Sequence, residues 1–291
     1  MEHLPYEIEW QIQSYLGYTD RLQCSFLSKR WREILRPVLF ETVQIRLKDQ
    51  TETFVDILDH TPSIGTSIKK LVCVTHARND KMRFYAKLIH RTPNLKILEI
   101  HSRADALYRT ALDAIDQGYW KHLHSINDQM AFSFEPSCLN QYYYAVVSAI
   151  QDRLTTVMLN ISSLPSSRQP HYFQFPFITR ETRFRAAVQL TCISEVHVAV
   201  QSVDDVLTLC PNATDVILSF WSLDPLETRV EPNQTVKKLK VSLYDSLVTG
   251  IDYIRQKFTH LDQLTFGVQP SDEFESPDDL VYFDMPLTLA T

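Results

Sequence analysis

The chain has 291 residues, 44% of them apolar, and a net charge of −6, an ordinary globular balance that argues against general disorder. No apolar run approaches the roughly eighteen residues needed to span a bilayer, and no segment carries a basic stripe, so neither a membrane nor a nucleic acid is an expected partner. Cys24, Cys73, Cys138, Cys192 and Cys210 are odd in number and form no C-x-x-C pair; with no basic, hydrophobic leader at the start, a cytoplasmic or nuclear protein with free thiols is expected.

The elements begin at Pro5, which suits a first helical turn. Apolar residues recur at Ile8, Ile12, Tyr15 and Leu16, predicting an amphipathic helix. Gly17 suits its C-terminus, and Thr19 or Asp20 the N-cap of a second helix carrying Leu22, Phe26 and Leu27. Ser28 is placed to cap a third, with Trp31, Ile34 and Leu35, that stops before Pro37. Three helices in some forty residues are close to the lower limit for independent folding. Such a unit is expected to expose apolar surface that a partner covers.

The run Leu4-Pro5-x-Glu7-Ile8 with Ile12 and Tyr15-Leu16 opens the segment. Asp20 with Cys24-Ser25, Leu27-Ser28-Lys29-Arg30-Trp31-Arg32 follows, and Pro37-x-Leu39-Phe40 closes it. Over residues 3–46 this resembles an F-box, of the kind common in fungal proteins. The resemblance implies docking to a Skp-type adaptor, and through it to the cullin and RING subunits of a ubiquitin ligase. Leu4, Pro5, Ile8, Ile12, Tyr15, Leu16 and Leu22 would make that contact, and residues 1–42 would form the F-box domain.

A second pattern follows, apolar-x-x-apolar-x-apolar. It starts at Ile68, Leu95, Leu123, Leu154, Ile193, Ala213, Val236 and Leu261, at intervals of 20 to 39 residues. Helical stretches precede several copies: Phe54–Leu58, Phe84–His90, Tyr142–Ile150, Val203–Leu209 and Ile251–Phe258. Some end in a proline turn, Thr61-Pro62-Ser63, Thr92-Pro93-Asn94 or Cys210-Pro211-Asn212. The alternation over Val43–Leu47 predicts a first strand that ties the helices to this body. Stacked strand–turn–helix units are the physical reading, because one unit alone has too little core. The body resembles a degenerate leucine-rich-repeat horseshoe, as in F-box proteins of that class. The expected fold is therefore α/β: a three-helix F-box, then a leucine-rich-repeat-like solenoid over residues 43–268.

If Leu95, Leu98 and Ile100 point into the core, alternation puts Ile97 and Glu99 on the inner surface. The same phase places Val72, Met158, His197, Ile217, Lys238 and Lys240 there, as candidates for binding a target protein. Residues 163–182 lengthen one interval and hold Tyr172, Phe173, Phe175 and Phe177; they either touch a target or tuck back onto the core. Residues 269–291 form an acidic tail or cap, since positions 262–291 hold Asp262, Asp272, Glu273, Glu275, Asp278, Asp279 and Asp284 with no Lys or Arg. The tail either caps the last repeat or lies along the inner face near Lys238 and Lys240.

No catalytic constellation stands out. Five glycines form no phosphate-binding loop, and there is neither a G-x-S-x-G elbow nor an H-E-x-x-H pair. His122 and His124 share a strand face without the further ligands a metal needs. No catalytic residue, metal or cofactor is expected. The resemblances together imply a non-catalytic, substrate-recognition subunit of an SCF-type ubiquitin ligase. The alternative is an interaction scaffold that delivers nothing for degradation.

Overall fold

Pro5, Gly17 and Ser28 divide the N-terminal segment into three helices. α1 (Tyr6–Tyr15) starts directly after Pro5, which is extended at φ −55° and ψ 145°. α2 (Tyr18–Leu27) follows Gly17. α3 (Lys29–Leu39) follows Ser28, whose Oγ accepts the Trp31 N–H at 3.1 Å. Two details correct the sequence reading. Thr19 and Asp20 lie inside the first turn of α2, because Gly17 already holds the extended capping position. α3 continues through Pro37, where the missing N–H costs one bond in the last turn instead of ending the helix.

The computed structural model describes residues 5–74, 82–101, 105–128, 139–160, 178, 182–198, 200–223, 231–243, 247–268 and 281–285. They fall into two compact units, Met1–Leu123 and His124–Thr291. The three helices therefore belong to the same compact unit as the first strands.

In the first unit β1 (Thr42–Arg46), β2 (Lys70–Val74) and β3 (Ile97–Ile100) run parallel and in chain order. Between them lie α4 (Leu47–His60), α5 (Pro62–Ser67) and α6 (Met82–Arg91), and α7 (Asp105–Asp116) follows β3. Leu47 opens α4 and does not extend the strand. Pro62 is the first residue of α5, where its fixed φ fits, so the expected turn is a short helix. α3 packs against α5, and Arg36 Nη1 donates to Ser63 Oγ at 3.0 Å. The Glu41 carbonyl accepts both Lys69 N–H and Lys70 N–H at 2.9 Å, joining the end of the helical head to β2.

In the second unit β4 (Ser125–Asp128), β5 (Thr156–Asn160), β6 (Gln189–Val198), β7 (Asp215–Leu223), β8 (Lys238–Leu243) and β9 (Gln263–Val268) again lie in chain order. Their pairings are parallel. β10 (Val281–Met285) closes the series antiparallel to β9. The helices are α8 (Leu139–Ala149), α9 (Val200–Leu209) and α10 (Leu247–Lys257). The result is a mixed α/β protein whose parallel sheets are compatible with a solenoid.

The core follows the apolar motif. Ile68, Leu71 and Cys73 are buried, as are Leu95, Leu98 and Ile100, Leu154, Val157 and Leu159, and Val236, Leu239 and Val241. A fully buried aliphatic side chain contributes about 1.5–3 kcal/mol, so each unit adds several. The expected phase fails once. Ile193 is half-buried, while Ala187, Leu190 and Cys192 are buried, because β6 begins at Gln189 in register with Thr156 and Asp215. A register irregularity between Ser194 and His197 then returns Val198 to the core. At β4 the third motif position is Asp128, and it too is buried.

Polar links join successive units. Asn94 Nδ2 donates to the Thr66 carbonyl at 2.7 Å, and Asn212 Nδ2 to the Arg185 carbonyl at 2.8 Å. The Pro-Asn turns thus reach back across one repeat, each giving a side-chain donor to a backbone carbonyl of the repeat before it. Trp120 is fully buried and donates through Nε1 to Thr92 Oγ1 at 3.1 Å, while Thr92 donates to the Leu88 carbonyl at 2.8 Å. Gly118, at φ 85°, supplies the left-handed residue that turns the chain from α7 toward that tryptophan.

Candidate functional site

α1 shows two stripes of opposite character. Ile8, Ile12 and Tyr15, spaced by four and three, lie on one face of the helix and are 42%, 37% and 82% exposed. Glu9 and Gln13, spaced by four, are the buried pair. The polar stripe turns inward and the apolar one outward, the reverse of an ordinary surface helix. Glu9 Oε1 meets Arg30 Nε of α3 at 2.8 Å, and the Gln13 carbonyl accepts Arg21 Nε of α2 at 3.1 Å.

α2 extends the exposed apolar surface. Leu22 is 39% exposed, and Tyr18 and Phe26, four residues to either side, are more exposed still, as are Leu27 and Trp10. Of the seven predicted contact residues, Pro5, Ile8, Ile12, Tyr15 and Leu22 stand exposed and Leu16 is half-buried. Leu4 lies outside the described residues. The sequence reading left Trp10, Tyr18 and Phe26 out of the docking set. The spacing of Tyr18, Leu22 and Phe26 was the available signal, but it reads equally as core until the packing direction of α2 is known.

The predicted inner-surface residues form two separate groups. In the first unit the register aligns Gln44, Val72 and Glu99 in one row, and Thr42, Lys70 and Ile97 in the next. Lys70 Nζ pairs with Glu99 Oε1 at 2.7 Å, and Val72 and Ile97 are half-buried beside them. In the second unit Met158, Thr191, Ile217, Lys240 and Thr265 form one row, and Thr156, Gln189, Asp215, Lys238 and Gln263 the other. Lys238 Nζ lies 3.4 Å from Asp215 Oδ1, and Ile217 is exposed. Both faces mix apolar groups with opposite charges, as protein-binding surfaces do.

Ile193 does not keep the expected phase, but beyond the register irregularity Val198 is buried and His197 is its neighbour on the strand. The His197 backbone pairs with Ser222, and its side chain lies outside the description. The aromatic residues of segment 163–182 also lie outside the described residues, although Ile178 and Thr182 are buried. From the acidic tail, Val281–Met285 pair with Val268–Leu264, so this stretch covers the edge of β9.

The strongly shifted titratable groups belong to the core of the second unit. Burial pushes the Cys210 thiol up to about 12. Burial, then Cys210, raises Cys192. Tyr253 is raised by burial and by Asp204, to which its hydroxyl donates at 2.8 Å. All these groups are held neutral, the opposite of an activated nucleophile. Among the described residues no group of three His, Cys, Asp or Glu side chains could hold a metal ion, and no helix is long and apolar enough to cross a membrane.

Residues 1–46 match the F-box-like family. F-box domains generally bind Skp-type adaptors. No curated protein matches the chain.

Proposed function

We propose that this chain is a substrate-recognition subunit of an SCF-type ubiquitin ligase, with no catalytic chemistry of its own. The F-box-like head docks a Skp-type adaptor, and the strand–helix body is a leucine-rich-repeat-like solenoid that holds a target protein. The observation that carries the reading is the outward stripe of Ile8, Ile12 and Tyr15, continued by Leu22 on α2. Apolar surface left open in this way gains by burial against a partner. Catalysis of ubiquitin transfer then rests on proximity: the bound target is held near a charged enzyme supplied by the cullin and RING subunits. Val72, Ile97 and Glu99 in one unit, and Met158, Ile217, Lys238 and Lys240 in the other, are the proposed target contacts.

The test measures binding of purified adaptor to the full chain and to Ile8→Asp and Ile12→Asp variants. A charge on the outward stripe should weaken binding at least tenfold while leaving the fold intact. Equal binding by all three proteins removes the assignment. Point variants are preferable to deletion of the head, because α3 packs on α5 and its removal would strip the first repeats.

A further inference from the structure

We infer that the Glu9–Arg30 ion pair, with Gln13 one turn further on, is a rotational lock that holds the docking stripe of α1 outward before any partner arrives. The inference rests on the adaptor-docking reading above and concerns how that site is positioned. Glu9 Oε1 lies 2.8 Å from Arg30 Nε, and the Glu9 side chain is 3% exposed. The other carboxylate oxygen, Oε2, and Gln13 Oε1 are both buried with no hydrogen-bond partner. Unpartnered buried acceptors weaken a fold, and leucines of similar volume at these positions would serve a purely structural interface better.

Helix geometry explains what the polar pair achieves. Successive residues are about 100° apart, so turning α1 by one residue would bring Ile8 and Ile12 to where Glu9 and Gln13 now sit. Burial of apolar surface favours that turn. The charged bond from Glu9 to Arg30 of α3 opposes it. α1 is thereby presented in its binding orientation, and the adaptor need not reorganise it.

The experiment replaces Glu9→Leu and Gln13→Leu together in the full chain. It measures Tm, affinity for purified Skp-type adaptor, and acrylamide quenching of Trp10, isolated by subtraction of the Trp10→Phe protein. The lock predicts an equal or higher Tm, adaptor binding weakened at least tenfold, and a more readily quenched Trp10, which is 58% exposed in the native orientation and would turn to the outward position of Gln11. Binding weakened less than tenfold overturns the inference. So does a parallel fall in Tm and affinity, which would mark an ordinary structural role. Should the native chain itself not bind the adaptor, the docking reading fails; the lock is then judged on Trp10 alone, and unchanged quenching overturns it. If the double variant does not fold, Glu9→Gln, which keeps an acceptor toward Arg30, should bind as the native chain does. Arg30→Met, which opens the bond from its half-exposed side, should bind at least tenfold more weakly, and equal binding by the two rejects the lock.

Discussion

In α1 the apolar residues Ile8, Ile12 and Tyr15 face out over buried Glu9 and Gln13, whereas in β7 Val216, Leu218 and Phe220 are buried while Ile217 is left exposed. Both elements alternate apolar and polar positions at the period of their secondary structure. They differ in which stripe the packing chooses. In β7 the neighbouring strand β8 repeats the pattern in register, so the buried Val216, Leu218 and Phe220 meet Leu239, Val241 and Leu243. In α1 the facing helices offer Arg30 and Arg21. The body therefore realises its hydrophobic stabilisation within the chain, and the head leaves part of its apolar surface exposed.

The sharpest way to break this contrast is to truncate one residue from each side of it. Leu218→Ala, at a position 1% exposed, should lower unfolding stability by about 2–5 kcal/mol through lost transfer energy and a cavity. Ile12→Ala should cost less stability than Leu218→Ala, because Ile12 is 37% exposed and its loss leaves no enclosed cavity, yet it should weaken adaptor binding. Chemical denaturation of the two variants with a parallel binding titration decides the matter. An Ile12→Ala loss as large as that of Leu218→Ala would make the head an ordinary core.

Alkaline titration sharpens the comparison, since the raised thiols lie in the second unit. Cys210 titrates near 9.0 when unfolded and near about 12 when folded. A raised folded value means that the native state keeps a proton the unfolded state gives up. Stability is thus fully present below pH 9 and falls as pH rises above it. The loss from this thiol should reach about 2–3 kcal/mol by pH 11. Cys192, raised in the same sense, adds to it. Denaturation midpoints between pH 8 and pH 11 measure the slope, and Cys210→Ala should flatten it.

A smaller effect is expected where the repeat is irregular. The described residues between β7 and β8 contain no helix, and α10 packs against β7. Lys257 Nζ reaches Asp204 Oδ1 of α9 at 2.8 Å, and the Tyr253 hydroxyl donates to the same oxygen. Lys257→Met should cost about 1–3 kcal/mol, because Asp204 keeps the tyrosine and some solvent but loses its charge partner. Asp204→Leu together with Lys257→Met should recover part of that loss, as unfolding curves of the three proteins would reveal.

How much of this was legible in the sequence depended on whether neighbouring residues or distant ones decide the outcome. Pro5, Gly17 and Ser28 act within one turn, and the three helices follow from them. The strand motif is equally local, and seven of its eight starts lie where expected. At Ile193 the true copy, Ala187-x-x-Leu190-x-Cys192, competed with the equally apolar Ile193-x-x-Val196-x-Val198 just after it, and only the register with β5 and β7 selects the first. The apolar period of α1 was plain, but Glu9 turns inward to Arg30, which no local pattern connects to it. Trp120, which anchors the Thr92 turn from 28 positions away, gave no periodic signal at all.

The Pro-Asn turns were visible in the sequence as punctuation, and the structure gives them a mechanical part that can be measured. Asn94 and Asn212 each donate a side-chain N–H to a backbone carbonyl of the preceding unit, 28 and 27 residues earlier. Asn94→Ala removes one such link, and because the site is exposed, water can replace the donor. The cost should therefore be about 0.5–1.5 kcal/mol, the net worth of an ordinary hydrogen bond. Asn94→Asp makes the sharper variant: it keeps the shape but offers an acceptor to the Thr66 carbonyl, and should cost at least as much as alanine. Hydrogen exchange ought to place the loosening at the α5–β2 and α6–β3 turns, with α1 unaffected. Loosening that spread to α1 instead would mean that the head draws its stability from the repeat turns, and the division between a self-sufficient body and a partner-dependent head would have to be redrawn at β3.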